Sequence, residues 1–170
     1  MSLADWIIDR VTRRKHDFAI GGEGNPYCLR WWVIPRNRWF NIYLHNFKRD
    51  DDDRALHDHP WHNCTIPLRV GYDEQQFNRT WEDGWVLPIT MMIPRNVGKI
   101  NFRRATTPHR VILRRDKDGV PMPSWSLFIT GPVIREWGFV CPGGRWVHWH
   151  EFTGFENTGQ SGLVGKGCGE

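Results

Sequence analysis

A chain of 170 residues with 39% hydrophobic and 25% charged side chains has the composition of one globular domain, not of a disordered or fibrous protein. Its formal charge of +4 is spread along the sequence rather than gathered into a stripe, which argues against a nucleic-acid partner. No apolar run approaches the roughly 20 residues of a membrane helix, and no charged start with an apolar core marks a secretory signal, so a cytoplasmic protein without a membrane partner is expected. Eleven tryptophans, nine phenylalanines and three tyrosines call for a core and cavity walls built largely from rings.

In chain order, Ser2 can cap a first helix over 3–15. Leu3, Trp6, Ile7 and Val11 share its apolar stripe, and Arg10, Arg13, Arg14 and Lys15 lie near its C-terminus, where cations complement the helix dipole. Gly21, Gly22 and Gly24 stop it. Alternating apolar and polar residues then predict strands over 27–34, 39–47, 56–64, 65–70, 72–79, 85–93, 99–103, 109–115, 124–130, 134–141 and 146–152. Turn signals separate many of them, among them Pro35-Arg36-Asn37, Asp83-Gly84, Asp118-Gly119 and Pro142-Gly143-Gly144. Many short strands at this spacing mean a sandwich or barrel. The run Asp50-Asp51-Asp52-Asp53 reads as a solvated loop, since it lacks the spacing of a calcium loop. Residues 153–170 carry six glycines and little apolar content, which predicts a flexible or draped tail. Cys28, Cys64, Cys141 and Cys168 stand far apart with no CxxC pair, so reduced thiols are expected, Cys168 being an incidental exposed one.

The chemistry concentrates in His57-Asp58-His59. Successive side chains of an extended strand alternate faces, so imidazoles two residues apart project together and can pinch one ion. His109, fifty residues after His59 on a later strand-like run, can join them, because a closed sheet brings distant strands around one interior point. Three neutral imidazoles suit iron, zinc, copper or nickel and leave positions open for substrate, a catalytic rather than a structural donor set. His62 falls on the opposite face by alternation. A second pair, His148 and His150, is expected to share a strand face without joining the metal, because a second site would need donors that the sequence does not place in register.

His57-Asp58-His59-Pro60-Trp61-His62-Asn63-Cys64, followed by Gly71-Tyr72-Asp73-Glu74, resembles the first motif of the cupin superfamily, small barrels that hold a metal inside. Asn63 and Cys64 stand where cupins usually place a glutamate ligand. Cys64, Gly71 and the later His109-Arg110-Val111 resemble the cysteine dioxygenase branch, which holds non-haem iron with three histidines. That resemblance implies His57, His59 and His109 as ligands and gives Cys64 the place of a cysteine that can crosslink to a tyrosine. Phe128 and Ser126 occupy the positions of that tyrosine and its supporting histidine, so the metal site carries over and thiol oxidation does not. His-Asp-His-Pro-Trp, the run Gly131-Pro132 to Gly138-Phe139 and the closing Trp146-Val147-His148-Trp149 also look like small, functionally undefined cupin-like proteins of bacteria and tailed phages.

The fold expected is therefore all-β: a single-domain cupin-like barrel, of double-stranded β-helix or jelly-roll type, over 1–152 with a short N-terminal helix, and a Gly-rich tail over 153–170. The function expected is one divalent transition metal on His57, His59 and His109, iron first, in a dioxygenase-like enzyme acting on a small molecule or a peptide end. Zinc, nickel or manganese would instead serve an isomerase, hydrolase or lyase as a Lewis acid. A phage-associated binding or assembly protein is the non-catalytic alternative, and a homo-oligomer is left open. Trp61, Cys64, Phe128 and Arg110 are the expected pocket residues, with Arg103 or Arg104 as further candidates to hold a carboxylate or phosphate.

Overall fold

The computed structural model describes residues 1–51, 55–82, 85–154 and 167–169, with side chains outside 78–89. The first element is helix α1 (Leu3–Thr12), which Ser2 opens as a capping box: the Ser2 hydroxyl accepts from the Asp5 amide while the Asp5 carboxylate takes the Ser2 amide. The helix stops three residues short of its expected end. Arg13, Arg14 and Lys15 fold back into ion pairs with Asp9, Asp17 and Glu23, and β1 (Phe18–Ile20), a strand the alternation pattern does not predict, begins before the glycines.

Eleven further strands follow: β2 (Cys28–Trp32), β3 (Asn41–Phe47), β4 (Leu56–His57), β5 (Asn63–Arg69), β6 (Tyr72–Glu82), β7 (Trp85–Arg95), β8 (Asn101–Arg103), β9 (His109–Leu113), β10 (Ser124–Thr130), β11 (Gly138–Val140) and β12 (Trp146–His148). They form two antiparallel six-stranded sheets, ordered β1-β2-β3-β10-β5-β8 and β12-β11-β4-β9-β6-β7. This is the all-β, two-sheet architecture expected from the sequence. No helix among the described residues is long and apolar enough to cross a membrane.

Alternation sorts each strand between the inside of the barrel and its outer covering. On β10, Ser124, Ser126, Phe128 and Thr130 are buried between the sheets, while Trp125 and Leu127 turn outward onto Leu44, Trp31 and Ile8, so that α1 covers the outer face of the first sheet. Between the sheets, Cys28 and Phe47 of the first meet Tyr72, Val111 and Leu113 of the second. A second cluster at the β11–β12 end joins Ala55, Phe139, Cys141, Val147 and Phe152.

Several boundaries differ from expectation for local reasons. The strand expected over 56–64 is cut after His57, since Pro60 has no N–H for a ladder, and Cys64 opens into β5 together with Thr65. The strand expected over 146–152 ends at His148, and residues Trp149–Thr153 form a short helix α2 that closes on Gly154 at φ 64°. His148 and His150 therefore do not share a strand face; His148 faces Glu136 at 3.1 Å. The expectation of four reduced thiols is overturned by a disulfide between Cys141 and Cys168, which leaves Cys28 and Cys64 as the free, buried cysteines. Spacing in sequence does not register such a pair, because the crosslink depends on the chain returning to the β11 turn after 27 residues. Of the tail, 167–169 forms a turn held by that bond and by the Gly167 amide donating to the Phe152 carbonyl, while 155–166 and 170 lie outside the described residues. Asp52, Asp53 and the Asp83-Gly84 turn also lie outside them. Asp50 is not solvated as expected: it accepts from the Leu113 amide at 2.7 Å and pairs with Arg115.

Candidate metal centre

Strands β4 and β9 pair at a single register, His57 opposite His109, which sets two imidazoles side by side on the inner face of the second sheet. His59 lies beyond the end of β4, yet its backbone is fixed: its amide donates to the Ala105 carbonyl at 3.0 Å and its carbonyl accepts from Arg135. The residue between them explains the rigidity. Asp58 is buried on the opposite side, where its carboxylate accepts from the Gly138 amide and the Trp146 indole and pairs with Arg135 at 2.7 Å. Gly138 is required there, because an added Cβ would stand 2.2 Å from the Val147 carbonyl oxygen. The His-Asp-His run thus works as two inward imidazoles on one outward anchor.

The three imidazoles converge. Ring centroids lie 5.1 Å apart for His57 and His59, 4.6 Å for His57 and His109, and 5.0 Å for His59 and His109. One nitrogen of each lies within 4.8 Å of the others, so the three can hold one ion. Their tautomers follow from their neighbours. His57 Nδ1 sits 2.8 Å from Asp51 Oδ2, and His109 Nδ1 sits 3.3 Å from the Thr107 carbonyl. Both partners can only accept, which favours the proton on Nδ1 and leaves Nε2 available to a metal. On His59, Nε2 is buried with no hydrogen-bond partner among the described residues. A buried ring nitrogen in that state is costly unless something meets it, and an ion bound by all three would satisfy it.

Burial holds both His59 and His109 well below the usual histidine pKa, reinforced by His57 and then Arg103 at His59, and by Arg103 and then His57 at His109. Both imidazoles are therefore neutral, the form in which histidine binds a metal.

The histidines line a cavity of about 530 Å³, within the size range of small-molecule sites. Trp61 and Phe128 line it beside them, with Phe128 5.6 Å from His59. Cys64 and Arg110 do not, and alternation is the reason: Thr65 and His109 are the inward neighbours, so Cys64 and Arg110 lie on the other face of their strands. Of the other two arginines, Arg103 lines the cavity and is paired to the fully buried Glu74, which also holds Arg95 at 2.7 Å; Arg104 is exposed. His62 turns away and accepts from the Ala105 amide.

Sequence reasoning missed Arg30, His45 and Asp51. Arg30 and His45 reach the cavity from β2 and β3, where the Arg30 Nε donates to His45 Nε2 at 2.9 Å and the His45 ring stacks on Phe128 at 4.9 Å. The alternating Tyr43-His45-Phe47 was the available signal for His45, a titratable residue in the middle of a buried set.

No protein-family model and no curated protein matches the chain. Among solved structures, a protein with a double-stranded beta-helix domain from Klebsiella pneumoniae aligns at 15% identity and TM-score 0.44, over 68% of this chain and 85% of that one. The DMSP lyase DddQ from Ruegeria pomeroyi aligns at 12% identity and TM-score 0.46, over 78% of this chain and 61% of that one. Oxalate decarboxylase from Bacillus subtilis aligns at 15% identity and TM-score 0.49, over 77% of this chain and 31% of that one.

Proposed function

We propose that the chain is a mononuclear metal enzyme of cupin type in which His57, His59 and His109 hold one divalent transition ion and a small molecule reacts in the cavity beside it. The observation that carries this reading is the convergence of three imidazoles, one ring nitrogen of each within 4.8 Å of the others, with an acceptor beside Nδ1 of His57 and of His109. An all-nitrogen, three-ligand set leaves coordination positions open, which a structural site does not. Iron is the ion we assign, because a neutral three-histidine set with open positions suits dioxygen and substrate together, and the resulting chemistry is that of a non-haem oxygenase. When bound, the ion would supply electron transfer between dioxygen and substrate. The chain itself would position the substrate and exclude water with the rings of Trp61, Phe128 and Phe139.

Elemental analysis of protein purified without an affinity tag tests the reading. About one iron per chain is expected, together with oxygen consumption when a substrate is supplied. One zinc, nickel or manganese per chain would move the assignment to Lewis-acid chemistry at the same histidines. Absence of any retained metal after incubation with each of these ions would overturn it.

A further inference from the structure

The cavity wall carries a charge that no carboxylate among the described residues pairs with. Arg30 on β2 points into the cavity, donates through Nε to His45, and places its guanidinium 4.7 Å from the Tyr43 ring. No carboxylate pairs with it among the described residues, whereas Arg95 and Arg103 share Glu74, Arg115 has Asp50 and Arg135 has Asp58. Burial pulls the Arg30 pKa below its usual value, and its charge reaches His59. A guanidinium stays ionised under these conditions, so an unpaired cation inside the barrel is a cost to the fold until an anion arrives. Three neutral imidazoles would add no negative charge around a divalent ion, which makes the same demand stronger.

Beside His57, where Asp51 lies behind the ring, the cavity is also walled by aromatic rings. His57 lies 6.1 Å from Phe139, which stacks on Phe152 at 3.8 Å and lies 5.8 Å from Trp137, itself stacked on Trp149 at 5.6 Å. All four rings line the cavity. The histidine cluster therefore stands between two unlike surfaces, with Phe128 and His45 leading from His59 to the guanidinium on one side and the ring wall beginning at His57 on the other. A ligand that spans the cluster meets a cation at one end and aromatic faces at the other.

From this juxtaposition we infer that the cavity takes an aryl-substituted small carboxylate, its anion on Arg30, its ring on the Trp137–Phe139 wall, and the carbon between them above the three histidines. A planar carboxylate matches the two-pronged guanidinium, and a flat ring gains from stacking as an aliphatic body would not. The inference deepens the proposed function and rests on the same cavity being the substrate site.

Calorimetric titration with three probes tests it: 3-phenylpropanoate, the neutral 3-phenylpropan-1-ol, and propanoate, each added to the full chain both chelator-treated and metal-loaded. The acid with the ring is expected to bind at least about tenfold more tightly than either partial probe, since a charge-assisted contact and a stacked ring each contribute on that scale. Arg30→Met should abolish the preference of acid over alcohol, and Arg30→Lys should keep part of it. Equal binding of acid and alcohol to the wild-type chain, equal binding of phenylpropanoate and propanoate, or no binding of any probe would each overturn the inference without recourse to a variant. Metal content measured on the same samples keeps the two readings apart: acid-selective binding in a chain that retains no metal would sink the metal assignment and leave the ligand class standing.

Discussion

At the scale of single residues, the protonation of buried imidazoles sets the acid limit of the protein. Burial holds His45, His59 and His109 well below the usual value of 6.5, so each stays neutral in the fold while the unfolded chain protonates near that value. Between the two values the unfolded state binds more protons, and stability therefore falls as pH drops below about 6.5. Chemical denaturation of the metal-free chain from pH 7.5 to 5 should show this loss; a flat profile would mean that the imidazoles are not buried neutral. His59 and His109 should also remain competent for metal below pH 6.5, beyond what their unperturbed chemistry allows. Cys64 offers a second check. Burial pushes its thiol pKa up, and its ladder partners are Ile129 and Phe102 rather than a tyrosine, so no cysteine–tyrosine crosslink is expected. Peptide mass spectrometry would reveal a two-hydrogen loss at Cys64 if one formed. The histidines were legible in the sequence because three like donors recur at strand spacing. Asp51 and Arg30 were not, because a single carboxylate or guanidinium acquires meaning only from what the fold sets against it.

At the scale of elements, short connections do more than the long strands. The HxH spacing predicts one strand through His59, whereas β4 ends at His57; convergence survives because Asp58 clamps β4 to β11 and Ala105 holds the His59 backbone. Asp58→Asn should accordingly weaken metal retention without touching a ligand, with a measurable loss of thermal stability from the broken pair with Arg135. Full retention of both would show that the clamp is dispensable. The covalent link at the other end gives a sharper expectation. The Cys141–Cys168 bond closes a loop of 27 residues against the cluster of Phe139, Val147 and Phe152, so Cys168→Ser, or reduction by a dithiol, should cost roughly 2–4 kcal/mol of unfolding free energy. Equal midpoints for the oxidised and reduced chains in denaturant would contradict that. Strand positions were mostly legible from alternation. The disulfide and the conversion of 149–153 into a helix were not, since both depend on tertiary contacts beside β11 and β12 that spacing in sequence does not show.

At the scale of the whole molecule, the two sheets divide the labour. The second supplies His57 and His109 at its one β4–β9 register, and the first brings Arg30, His45 and Phe128 against them from β2, β3 and β10. A ligand that binds the folded chain alone stabilises it by mass action, so loading the metal should raise the melting temperature, and the rise should vanish in His109→Ala. The most direct test of the centre is X-ray absorption at the metal edge of the loaded wild-type chain. Three histidine ligands predict three imidazole nitrogens at about 2.0–2.2 Å, with the outer-shell scattering of the rings, and no sulfur shell, because Cys64 does not line the cavity. A sulfur shell, or a first shell of oxygens without imidazole scattering, would contradict the assignment of His57, His59 and His109 as the metal's ligands.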